Sequence, residues 1–222
     1  MTCKFEQLSD ASEGLGYEAE LFSSAEPRIG LWTAIERSLV CPRAYSVRDG
    51  FDAACSTSRK MGWRVHQRPT GGGTVPQGPG VDNLALAFNA PAGFTIEDGY
   101  QLITDVIKHG LRPNGEMLEA GNTPDSFCDG AWNLAVKGQK IVGTAQRWRP
   151  VRGGRPRVLV HALILTTDEF TEGTRAVSDF HHSLGIGPVK QSAHTSLFEA
   201  FGINELPVGK LYDAAERALA DL

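Results

Sequence analysis

No apolar run in this sequence approaches the roughly 20 residues that cross a bilayer. The first ten residues, MTCKFEQLSD, also lack the apolar core of a secretory signal. Both absences make the cytoplasm the expected location and leave no membrane partner. Positive charge is scarce as well, with 22 Lys and Arg against 26 Asp and Glu and a formal net charge of -4. A nucleic-acid partner, which global basicity would favour, is therefore not expected. The cysteines are only four, Cys3, Cys41, Cys55 and Cys128, irregularly spaced and without a CxxC pair. That pattern offers neither a zinc site nor a disulfide framework, and the thiols are read as free. The histidines His181, His182 and His194 share no spacing with carboxylates that would hold a metal, and are assigned to the surface or to ordinary hydrogen bonding. Repeats and low-complexity tracts are missing too. A length of 222 residues then fits one domain, residues 1–222, with enough chain to bury a substantial core.

Alternating and helical apolar patterns are interspersed along the chain. PRIGLWTAIERSLVCP reads as a helical or partly extended segment, and FDAACSTSRKMGW as a short helix ending near Gly62. In WRVHQRP, Trp63, Val65 and Gln67 alternate with Arg64, His66 and Arg68, which predicts a strand. VDNLALAFNAP is a second strand. EDGYQLITDVIKHGLRP has apolar Tyr100, Ile103, Val106, Ile107 and Leu111 at helical spacing, closed by Gly110 and Pro113. NLAVKGQKIVGTAQRW predicts two short strands joined at Lys137-Gly138, and RVLVHALILT a further strand too continuously apolar to face water. TRAVSDFHHSLGI and LYDAAERALADL close the chain as helices around a short irregular stretch. Hairpins among helices favour an α+β fold with a mixed, largely antiparallel sheet and flanking helices over a doubly wound parallel one.

Two segments carry chemistry. RPTGGGTVPQGPGVDNLALAF places Gly71, Gly72 and Gly73 between a basic residue and a strand. Such a run lets the main chain approach a ligand with no Cβ in the way, or is simply a flexible surface turn. No GK[ST] follows and the next element is a strand, so neither the P-loop nor the dinucleotide fingerprint is matched. The second segment, SFCDGAWNLAVKGQKIVGTAQRW, puts Cys128 before the hairpin and Lys140 after its turn. Folding back at Lys137-Gly138 does not by itself bring the two together. If the fold does so, an ammonium beside a thiol favours the nucleophilic thiolate. Otherwise Cys128 is a small buried hydrophobe and Lys140 a solvated lysine. A third segment, RWRPVRGGRPR, holds five arginines from Arg147 to Arg157 in a predicted loop, either solvated or docking an acidic partner protein.

Taken in order, RPTGGGTV, GQKIVGTAQ and VHALIL resemble the biotin and lipoate ligase superfamily, in its lipoate-protein ligase and octanoyltransferase branches. Arg68, Thr70, Gly71 to Gly73 and Val75 match the first motif of that family, Lys140, Gly143, Thr144 and Ala145 the second, and His161 the third. The likeness covers about residues 45–170. It implies that the glycine loop lies along an acyl chain, and that Lys140 stabilises charge on the acyl carbonyl. An apolar cleft would hold an eight-carbon chain, each buried methylene contributing about 0.8 kcal/mol. Cys128, twelve residues before Lys140, resembles the thioester-forming cysteine of the octanoyl-H-protein amidotransferases, and PGVDNLALAF, with Asn83, resembles a phrase of that subgroup. Gln77, where many ligases have histidine, and Asp129, where the subgroup has proline, depart from those patterns.

The resemblance implies octanoyl or lipoyl transfer to the lysine of a lipoyl domain through a Cys128 thioester, with no cofactor. Its partners would be lipoyl domains, the glycine-cleavage H protein or an acyl-carrier protein. The sequence does not identify the general base that deprotonates the incoming amine, for which His161 and Asp129 are candidates. ATP-dependent lipoate ligation, using ATP and magnesium, is the alternative, and a non-catalytic paralogue that binds acyl groups the third reading. About fifty residues follow the third motif, too few for a separate C-terminal accessory domain.

Overall fold

The computed structural model describes residues 4–222, so Cys3 lies outside the described residues. The chain runs β1 (Phe5–Leu8), α1 (Ala11–Ser23), β2 (Arg28–Ala34), β3 (Ser38–Pro42), α2 (Phe51–Lys60), β4 (Arg64–Arg68), β5 (Val75–Gln77), β6 (Val81–Asn89) and α3 (Ile96–Gly110). It continues with β7 (Glu119–Gly121), β8 (Asn133–Val136), β9 (Gln139–Arg149), β10 (Arg157–Leu165), α4 (Thr171–Ser183), α5 (Leu197–Phe201) and α6 (Val208–Ala220). Seven strands form one sheet in the order β1-β2-β6-β10-β9-β8-β7, and three form a second in the order β4-β3-β5. Among the described residues of the large sheet only β1 and β2 pair in parallel. The architecture is thus α+β with a mostly antiparallel sheet.

β6 sits mid-sheet and is buried along nearly all its length because both faces are covered. Leu84, Leu86 and Phe88 pack with Ile103, Val106 and Ile107 of α3 and Leu211 of α6. Ala85 and Ala87, together with Leu159 of β10, pack under Leu21 and Phe22 of α1. A second core joins Leu39 and Cys41 of β3 to Phe51 and Ala54 of α2 and to Val177 and Phe180 of α4. Helix α3 opens with a capping box, in which Thr95 Oγ1 accepts from Asp98 N–H and the Asp98 carboxylate accepts from Thr95 N–H. Among the described residues no helix is long and apolar enough to cross a membrane.

Several expectations change. PRIGLWTAIERSLVCP is two strands, β2 and β3, with no helix. The predicted alternation in β4 fails at its end, where Arg68 is buried and Gln67 exposed. The Arg68 guanidinium earns its burial by donating to main-chain carbonyls. The second hairpin strand is not short. β9 has 11 residues because its pairing with β10 extends to Arg149↔Arg157. The hairpin turn itself falls at Lys137-Gly138, with φ of 50° and 77° at the two turn residues. Of the five arginines only Arg152 and Arg155 stay in the loop. Arg157 is buried, donating to the carbonyls of Leu21, Phe22 and Glu26, while Arg147 and Arg149 lie over the Phe22 ring.

Candidate active site

The large sheet and the small sheet meet at a cleft that opens to solvent. Its apolar walls include Leu15, Trp32, Val40, Val75, Phe127 and Leu163. Strand register explains its depth. Gly143 pairs with Leu163 and Ala145 with His161, which in turn pairs with Ala85. Small residues side by side on one face of the sheet leave a hollow that larger ones would fill.

The loop between β4 and β5 forms one lip, and the turn before β8 the other. Cys128 has φ of 55°, an uncommon conformation for a residue with a Cβ. Gly72 has φ of 100°, and a Cβ there would collide with Cys128 Sγ and lie 3.1 Å from Arg68 Nη2. A Cβ on Gly73 would lie 3.1 Å from Cys128 N and Cα. The glycines are therefore needed because another backbone and a thiol rest against them. Arg68 fastens the loop. Its Nη1 donates to Val40 O at 2.9 Å, and its Nη2 donates to Gly71 O at 2.9 Å and Gly73 O at 2.6 Å, with Cys128 Sγ 4.0 Å away.

Lys140 is buried, and its Nζ donates to Phe127 O at 2.6 Å and Cys128 O at 2.9 Å. Burial, with a smaller push from Arg68, lowers its pKa to about 8 against the opposing pull of the nearby Cys128 and Asp129. Room for the side chain comes from Gly143, where a Cβ would stand 3.0 Å from Lys140 Cε and Nζ. Phe127 is held in turn by His194. His194 Nε2 accepts from Phe127 N–H at 3.0 Å, its Nδ1 donates to Lys190 O at 2.9 Å, and the two rings stack 4.1 Å apart. Burial first, then Lys140, depresses the His194 pKa to about 4, consistent with a neutral ring that accepts at Nε2. Cys41 offers no comparable nucleophile, since burial raises its thiol to about 11.

Of the residues singled out in the sequence, Arg68, Val75, Gln77, Asn83, Cys128, Lys140, Gly143, Thr144, Ala145 and His161 all line the cleft. Gln77 and Asn83 exchange two amide hydrogen bonds at 2.8 and 3.0 Å. Thr144 donates to Trp132 O. Thr70 borders an adjoining cavity, and Gly71 contributes its carbonyl to Arg68. The Asp129 carboxylate accepts from Thr123 N–H at 2.6 Å and does not line the cleft. His194 and His181 are buried rather than superficial, although both make ordinary hydrogen bonds. Sequence reasoning missed Leu15, Glu18 and Trp32, which α1 and β2 bring to the cleft, and the anchoring role of His194. Among the described residues no group of three or more His, Cys, Asp or Glu is placed to hold a metal.

Comparison with known proteins adds four findings. The family described as lipoyl protein ligase A/B catalytic domain matches residues 49–220. An octanoyl-GcvH:protein N-octanoyltransferase of Kyrpidia tusciae is 33% identical over 142 residues, 61% of this chain and 49% of that protein. A lipoyl-GcvH:protein N-lipoyltransferase of Listeria monocytogenes is 31% identical over 145 residues, 65% of this chain and 50% of that protein. The chain thus spans about half the length of these two curated relatives. A crystal structure of lipoate-protein ligase A bound with ATP superposes with a TM-score of 0.69, covering 100% of this chain and 85% of that one at 16% identity, which shows a common fold.

Proposed function

We propose, from the premise that this chain belongs to the lipoyl protein ligase A/B catalytic domain family, that it moves an octanoyl or lipoyl group to the lysine of a lipoyl domain through a thioester on Cys128. The observation that carries this reading is the seating of Cys128 between Gly72 and Lys140, with the Lys140 ammonium on the Cys128 carbonyl. Two relatives are named for transfer from GcvH. The donor for this chain is accordingly the acylated glycine-cleavage H protein, and the apolar cleft takes the acyl chain.

In the first step Cys128 Sγ bonds to the acyl carbonyl carbon, the C–N bond of the donor amide breaks, and the proton given up by the Cys128 thiol goes to the departing lysine nitrogen. In the second, the acceptor amine adds to the thioester carbonyl, the C–S bond breaks, and the Cys128 sulfur takes the proton that the nitrogen loses. Lys140 spends two of its three N–H bonds on carbonyls, so the third is available to the oxyanion that forms in each step. The cleft fits a neutral acyl group better than a polyphosphate. Its guanidinium, Arg68, is already on three carbonyls, and among the described residues Lys140 is the one further cation lining it.

Intact mass tests the reading. Protein mixed without ATP with octanoylated H protein is expected to gain one octanoyl group, which hydroxylamine removes and Cys128→Ser prevents. Turnover that needs ATP and survives Cys128→Ser would replace the thioester by an acyl-adenylate. Binding of octanoate without turnover of any donor would make the chain a binding protein.

A further inference from the structure

One pair in the cleft has no part in the thioester chemistry above. His161 Nδ1 lies 3.0 Å from Glu18 Oε2. The other Glu18 oxygen accepts from the Trp32 indole N–H at 3.1 Å. Opposite a carboxylate, Nδ1 carries the hydrogen and Nε2 is the acceptor. That Nε2 is buried and has no hydrogen-bond partner among the described residues. An unsatisfied buried acceptor costs roughly 1–3 kcal/mol, so a group from outside the chain is needed to complete it.

Its place in the fold indicates which group. Glu18 and His161 line the acyl cleft and also a second, smaller cavity bordered by Thr70, Arg147 and Leu159. The two cavities share Leu15, Glu18, Arg68 and His161, so they meet at this pair. Through one arrives the acyl chain. The other leaves a route for something that must reach the same carbonyl.

Resting on the transferase reading, we propose that the acceptor lysine comes in through the second cavity and that His161, oriented by Glu18, takes the proton from its ammonium. The Nε2–H bond forms as the N–H bond of the ammonium breaks. The neutral amine then adds to the thioester carbonyl, the C–S bond breaks, and the Cys128 thiolate takes the second proton of the nitrogen. His161 returns its proton to solvent. Arg68 and Arg147 border the route, and their charge helps the ammonium to release its proton. His161 is the catalytic residue in this step and Glu18 a positioning residue. Glu18→Gln keeps the shape but turns an amide N–H toward Nδ1, which forces the hydrogen onto Nε2 and removes the acceptor.

The test separates the two halves of the reaction. Cys128 is charged from a thioester donor, octanoyl-acyl-carrier protein or octanoyl-coenzyme A, whose leaving thiol needs no proton from His161. The adduct is then chased with a lipoyl domain or with hydroxylamine, an amine already neutral near pH 7. In His161→Gln and Glu18→Gln the adduct is expected to form, and to discharge to hydroxylamine, within a few-fold of the wild-type rates even though both residues line the acyl cleft. Discharge to the lipoyl domain should slow by at least about 100-fold. Wild-type discharge in both variants overturns the assignment and leaves the thioester reading standing, as does loss of charging itself, which would mean a structural role. No adduct on the wild-type protein from either donor, or from octanoylated H protein, sinks the thioester reading and the base with it.

Discussion

A buried ammonium is the most expensive feature of this site, and the solvent it has lost is repaid only in part. Lys140 has two carbonyl partners and no carboxylate, so its pKa stands at about 8, against 10.5 for a free lysine. The gap corresponds to about 3 kcal/mol by which the fold disfavours the charged form. Below pH 8 the folded and unfolded chains both hold this proton and the penalty is present in full. Between about 8 and 10.5 the unfolded chain holds more protons than the folded one, so stability gains from this group as pH rises. Activity should move in the opposite direction, because in the proposed mechanism deprotonation removes the charge that faces the oxyanion. The rate of acyl transfer is therefore expected to fall on a basic limb near pH 8. Lys140→Met should lower the rate about 100-fold and abolish that limb. Persistence of the limb in the variant would assign it to another group.

Helix α1 delivers Glu18 and Leu15 to the cleft, and its own packing rests on a glycine. A Cβ at Gly14 would fall on the Trp32 ring, 2.7 Å from Cε3, and Trp32 is too buried to yield. Gly16, one residue beyond Leu15, has no atom within 4 Å of where its Cβ would be. Gly16→Ala should then stabilise by up to about 1 kcal/mol through helix propensity, whereas Gly14→Ala should destabilise by about 1–3 kcal/mol through overpacking. Urea midpoints check both, and equal shifts would mean that α1 does not pack as described. The same two glycines hid this helix from sequence reading. β2 and β3 were obscured differently, since Leu31, Ala34, Ile35 and Leu39 fall at helical spacing while both faces of the strands are buried, which erases the period of two. Strands with one continuous apolar run, β6 and β10, were legible because length and flanking turns identify them. The motif residues were legible as a set, but the convergence of Cys128 and Lys140 depends on a left-handed residue and a buried amine. His194 and Glu18 lie far from both in the chain, so no local pattern could have placed them there.

At the scale of the molecule the site is a seam. The small sheet with α2 and α4 has its own core, the large sheet with α3 and α6 another, and the cleft opens between them. A ligand in that seam touches both lobes, so binding it should raise the stability of the whole chain. Octanoate at 100 times its dissociation constant should contribute about 2.7 kcal/mol. For a chain of this length each kcal/mol raises the midpoint by about 2–4 °C, so a thermal shift of about 5–10 °C is expected. Chain length gives the sharper measurement. Hexanoate buries two fewer methylenes and should bind about 15-fold more weakly, at about 0.8 kcal/mol for each. A larger floor side chain in Ala145→Leu should weaken the binding of both acids by narrowing the cleft that Gly143 and Ala145 floor. If hexanoate and octanoate stabilise the wild-type protein equally at equal concentration, the acyl chain lies somewhere other than along Gly143 and Ala145.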